Sequence, residues 1–137
     1  MFKRALSVIT GLIVGTIVVS IGHMACSGIN PPPVGLNIND VEGMANYIQS
    51  MPTSALSVLI TAHVMATFIA SWIAARISDA FSFYFGLFVG AVFIVSSIVY
   101  DVSLPHPSWM VITDLILTII ATYCGAKLGA GMVKKLI

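Results

Sequence analysis

Four residues in this chain are of types that do chemistry and stand where such residues are costly. His23, His63, His106 and Asp114 lie in or beside long apolar runs. An ionisable group inside a membrane span is expensive and is a functional candidate by default. At 1.5 Å of helix rise per residue, His63 falls about 16 Å beyond Pro52, and Asp114 about 8 Å into the last apolar run. His23 is near the end of the first run, and His106 sits in the short loop before the last. An imidazole beside a carboxylate can hold or pass a proton. Together the four, with Thr61 and Thr113 near them, would line one polar pocket. The plainer use is structural, with the groups satisfying one another and holding the helices in register. A bis-histidine haem fits poorly, because His23 and His63 are expected to differ in depth by roughly 10 Å. The sequence contains no Ser-His-Asp order, no His-x-x-x-His pair, no phosphate loop and no paired glutamates. No catalytic residue, metal or cofactor is therefore expected, and the chain is not expected to be an enzyme.

Those residues must be positioned by membrane helices. Six Lys and Arg and five Asp and Glu make the chain 8% charged, against about 25% for a soluble domain. Hydrophobic residues make up 58% and mean hydropathy is +1.04. So few charges cannot cover a soluble surface, so much apolar area excludes disorder, and a net charge of +1 offers nucleic acid no basic face. A spanning helix needs about 20 apolar residues, and four stretches qualify: 5–25, 54–76, 81–100 and 109–132. Residues 1–137 are thus expected to form one all-α transmembrane domain in the lipid bilayer. Lys3, Arg4, Arg76, Lys127, Lys134 and Lys135 all fall at one side, whereas the loops 26–53 and 101–108 lack Lys and Arg. By the positive-inside rule both termini are cytoplasmic and those loops face outward, which makes the polar pocket outward-facing. Asp40, Glu42 and Asp101 are assigned to the outer side and Asp79 to the inner turn. Asp114 is the one charge without a topological reason.

The first span is expected to stay uncleaved. It is of full span length, and His23, two residues before Ala25, spoils a small-x-small cleavage site. Cys26 and Cys124 are expected about 22 Å apart in depth, too far for a disulfide.

The chain repeats itself. Ser7-x-x-x-Gly11-Leu-x-Val-Gly15 recurs as Ser82-x-x-x-Gly86-Leu-x-Val-Gly90. Pro52, Ala66-Thr67-Phe68, Ala70 and Ala74-Ala75 recur as Pro107, Ala121-Thr122-Tyr123, Gly125 and Gly129-Ala130. This pattern predicts two tandem helical hairpins related by a pseudo-twofold axis along the membrane normal. Lipid gives helices little hydrophobic reason to associate, so small residues that admit close backbone approach must supply the packing. Gly11, Gly15, Ala62, Ala66, Ala70, Gly86, Gly90, Ala121, Gly125 and Gly129 are the expected packing residues of a four-helix bundle. They would equally serve contacts with other subunits.

In the first loop, Pro31-Pro32-Pro33 forces an extended segment. Asn39 with Glu42 three residues on has the form of a capping box. A short interfacial helix is expected from about Asp40 to Ser50, ended by Pro52. Gly22-His23, Pro31-Pro32-Pro33-x-Gly35-Leu36, Tyr47, Met51-Pro52 and Pro105-His106-Pro107-x-Trp109 together resemble a family of small four-span bacterial membrane proteins. The resemblance implies a four-span architecture and a bacterial inner membrane, and no activity. That family carries a carboxylate about one turn before the histidine, where this chain has Val19 and Ser20, so no histidine–carboxylate pair is carried over. With minimal loops and no catalytic set, the favoured expectation is a non-catalytic accessory or structural protein, as a homo-oligomer or with other membrane subunits. The alternative is a small transporter or channel using Asp114 and His63, with proton coupling.

Overall fold

The computed structural model describes residues 2–37, 39–79 and 81–134. Its elements are α1 (Phe2–Ile29), α2 (Val41–Gln49), α3 (Thr53–Ile77), α4 (Ser82–Ser103) and α5 (Ser108–Lys134), with no strand among the described residues. α1, α3, α4 and α5 are each long and apolar enough to cross a membrane. They run past expected bounds: α1 continues four residues past Ala25 and α4 three past Tyr100, while α3 and α5 each begin one residue early, at Thr53 and Ser108. Nothing in those flanking residues breaks a helix until Pro31 and Pro105 are reached. A proline remove an N–H donor, which costs nothing at a helix start, where that donor is unpaired anyway. Pro52 and Pro107 accordingly stand just ahead of α3 and α5, their carbonyls accepting the first N–H groups of each helix. Lys135, counted among the cations above, lies outside the described residues.

The bundle inverts the soluble pattern. α1 turns Ser7, Gly11, Gly15 and Gly22 inward and an Ile9, Ile13, Ile17, Ile21 stripe outward. Small residues inside allow backbones to touch, and large apolar ones suit lipid. α3 is the central helix and packs on α1, α4 and α5, whereas α1 and α5 do not meet. Its Ala66, Ala70 and Ala74 are fully buried, Ala62 nearly so. Gly11 faces Ala70 and Ala74, Gly15 faces Phe93 and Ala70, and Gly22 faces Ala62. On the other flank, Gly86 lies against Ala126, and Gly90 against Thr122 and Ser71. Gly125 and Gly129 meet the backbone of α3 at Phe68 and Trp72. Ala121 is buried as well.

Two apolar clusters form the core. One gathers Cys26, Leu56, Leu59, Ile60 and Met110 near the α2 end, and the other gathers Ala70, Ala74 and Val89 toward the opposite end. The stretch of α3 between them carries His63 and Thr67, so the polar layer is enclosed by apolar packing above and below. Cys124 is exposed and both cysteines are free.

α2 differs from its expected start. Asp40, not Asn39, is the N-cap, and its carboxylate accepts from the Gly43 N–H at 3.0 Å. With the cap there, the third helical position is Gly43, so Glu42 cannot close a capping box. Asn39 instead donates its N–H to the Asn37 side chain. α2 buries Ile48 and is tied to the end of α1 by the Tyr47 hydroxyl, which donates to the Asn30 carbonyl at 2.6 Å.

Candidate functional site

The polar layer is built from α3 and α5 across their interface. His63 Nδ1 lies 3.1 Å from Asp114 Oδ2, and both side chains are buried. From α4, Ser97 donates its hydroxyl to the same carboxylate oxygen. Thr67 donates to the His63 carbonyl and Thr118 to the Asp114 carbonyl, each one turn down its own helix. These side chains are held because a hydroxyl in an apolar span finds its nearest acceptor one turn back. Thr61 and Thr113 do the same at Ser57 and Trp109, but from faces turned away from the pair, so they do not belong to the site.

His23 and His106 join this pair through one aromatic ring. Tyr100 has its ring centroid 5.4 Å from His23, 6.1 Å from His63 and 5.2 Å from His106. The His23 and His63 rings are 5.9 Å apart. The 10 Å depth offset expected between them is absent, because α1 extends to Ile29 and so sets His23 further into the bundle. All four sequence-selected residues therefore converge. Three further members were not selected: Ser97, Tyr100 and Asp101. Asp101 is no outer-loop charge. It is buried in the last turn of α4 with Oδ1 3.6 Å from His106 Nδ1. Its burial follows from the extension of α4 past Tyr100. The spacing Ser97, Tyr100, Asp101 on one helical face, inside an otherwise apolar run, is the signal that would have found all three.

The cluster borders two cavities. One, of about 270 Å³, is lined by His63 and Thr67 at its back and by residues of α1 and α4 at its sides. The other, of about 220 Å³, lies under α2 and the proline loop. His23 and Tyr100 line both. Two buried oxygens, Asp114 Oδ1 and Asp101 Oδ1, and both ring nitrogens of His106 make no well-formed hydrogen bond. Among the described residues no group of three or more His, Cys, Asp and Glu is arranged to hold a metal ion.

Burial pushes the His106 imidazole below its ordinary value, against the opposing pull of the Asp101 carboxylate. The unfolded loop therefore takes up a proton that the folded one resists, so the stability of this end falls as pH drops below about 6.5. Hydrogen exchange of residues 101–110 between pH 8 and pH 5 is expected to show faster opening at the acid end. His106→Asn is expected to flatten that slope, and an equal slope in the variant would place the titration elsewhere.

A serine nucleophile must bond the imidazole on the side away from the carboxylate. Here Ser97 and His63 both address the same carboxylate oxygen, so the three do not stand in that order. What the fold and site define is a four-helix membrane-type bundle with a buried histidine–aspartate pair beside a cavity. The chain matches no family model, no curated relative and no solved structure.

Proposed function

We propose that this chain is a small multi-span membrane protein with a ligand site at His63 and Asp114 through which a proton also passes on its own, acting as a carrier and not as an enzyme. One observation carries the reading: a carboxylate with no exposed surface, paired to an imidazole, stands behind a cavity that the same imidazole lines. Membrane proteins keep such pairs where protons or substrates pass. The small residues that favoured an accessory subunit are occupied within the chain by contacts between its own helices, so they argue for no partner.

Three finer statements belong to the same proposal. Both termini are cytoplasmic, supported by the six cations at one side. The membrane is a bacterial inner membrane, supported by the resemblance to small bacterial four-span proteins. The chain arose by duplication of one hairpin, supported by Ser7 and Ser82, Gly11 and Gly86, and Gly15 and Gly90, which all face inward at matching positions.

The test uses the proton as its own probe. Protein in liposomes with an entrapped pH dye is given a potassium-valinomycin potential. Asp114→Asn and His63→Gln are each expected to lower proton entry at least about tenfold. Unchanged entry in both would remove the mechanism.

A further inference from the structure

The larger cavity has its mouth in the wall of the bundle. Thr16 of α1 and Ser96 of α4 line it and are exposed on the outer surface of their helices. α1 and α4 touch only sparingly, which leaves a cleft between them. Thr16 lies near the middle of α1, and Phe93 and Ser96 near the middle of α4. In a bilayer the mouth therefore opens at the depth of the acyl chains, where the neighbouring solvent is lipid.

The walls state what could enter. Phe93, Tyr100, His23 and His63 present rings, and aromatic faces favour a planar partner. No Lys or Arg lines the cavity, while Asp114 stands directly behind it. An anionic lipid head would thus meet a carboxylate and no cation. At the back, His63 meets Asp114 through Nδ1, and its ring also lines the cavity, although the residue is more than nine-tenths buried. The imidazole edge that lines the cavity is thus the polar group a ligand entering from the cleft meets at the back.

We propose that the α1–α4 cleft admits an uncharged, lipid-soluble molecule with a planar ring bearing oxygen acceptors, of the quinone class, directly from the bilayer. The ring lies among the aromatic side chains, one ring oxygen accepts from His63 Nε2–H when the His63–Asp114 pair holds its additional proton, and the tail leaves between Thr16 and Ser96. This rests on the reading of His63 and Asp114 as a ligand site and names its ligand class.

The experiment is a titration of the full chain, in phosphatidylcholine nanodiscs, with a tritiated decyl-benzoquinone. Saturable binding is expected. Thr16→Trp, which blocks the mouth from an exposed position, and His63→Leu are each expected to weaken it at least about tenfold. Ile9→Trp, on the exposed α1 stripe, is expected to leave it unchanged. Binding that is non-saturable, or indifferent to Thr16→Trp, overturns the inference, as does displacement by an equal concentration of oleate. Absent quinone binding alongside intact Asp114-dependent proton entry removes the quinone and leaves the carrier. Quinone binding without Asp114-dependent proton entry keeps the cleft and removes proton coupling.

Discussion

Asp114→Leu is expected to lower the unfolding free energy by about 2–4 kcal/mol, and Asp114→Asn by about 1 kcal/mol or less. The carboxylate has no exposed surface and accepts from both His63 and Ser97. Leucine leaves two donors without an acceptor, and a buried unsatisfied group costs about 1–3 kcal/mol. Ser97 has an escape, since its hydroxyl can turn to the Phe93 carbonyl one turn back. His63 has none, so the desolvated imidazole dominates the loss. Hydrogen bonds between membrane helices average only about 0.6 kcal/mol, which is why asparagine, able to serve both neighbours, costs little. A matching change on the other side separates these terms. In His63→Leu/Asp114→Leu both partners are apolar, and the double variant is expected to be more stable than Asp114→Leu alone. Equilibrium unfolding in mixed micelles by added dodecyl sulfate measures all three. Equal losses for leucine and asparagine would show that the pair does not hold α3 to α5.

Gly125→Leu is expected to cost about 3 kcal/mol or to prevent assembly of α5 on α3. A Cβ at Gly125 would run into the Phe68 carbonyl oxygen and lie 3.1 Å from Ser71 Cβ. The obstacle is helix backbone, which cannot rotate aside as a side chain can. Even Gly125→Ala is expected to destabilise, because overpacking of about 1–3 kcal/mol outweighs the gain of about 1 kcal/mol in helix propensity. Gly28 is the control. It lies in the last turn of α1 with nothing within 4 Å of its Cβ position, so Gly28→Ala is expected to stay within about 0.5 kcal/mol of neutral. Thermal unfolding of the three variants in detergent ranks them. Gly125→Ala as stable as Gly28→Ala would mean that α5 is not seated as described.

Much of the architecture is legible in order of residues alone, for reasons tied to particular positions. The spans are marked by runs of apolar residues between prolines, and Pro52 and Pro107 set two helix starts directly. The inward faces are marked by Gly and Ala at every fourth place, since backbone proximity in lipid has few other sources. Span ends were less legible. Tyr100 and Asp101 lie at a place where hydropathy falls but nothing stops a helix, and α4 simply continues to Ser103. That error hid Asp101, which was assigned to the outer loop and is instead buried in the last turn of α4. The cap of α2 shows the same limit on a smaller scale: Asn39 and Asp40 are both good caps, and local spacing does not choose between them.

Composition and periodicity suffice to put four helices in a membrane, because an unpaired backbone in lipid leaves almost no other solution and few charges leave no other solvent. They also suffice to single out Asp114, the one acid that topology does not need. Which groups Asp114 meets was settled only when α3 took the central position and turned His63 toward α5, with Ser97 arriving from α4. Those contacts join residues far apart in the chain, so their geometry depends on how helices rotate and slide against each other. Rotation is set by the small residues acting together across four helix interfaces, and the cleft between α1 and α4 is what remains where no pair of small residues closes it.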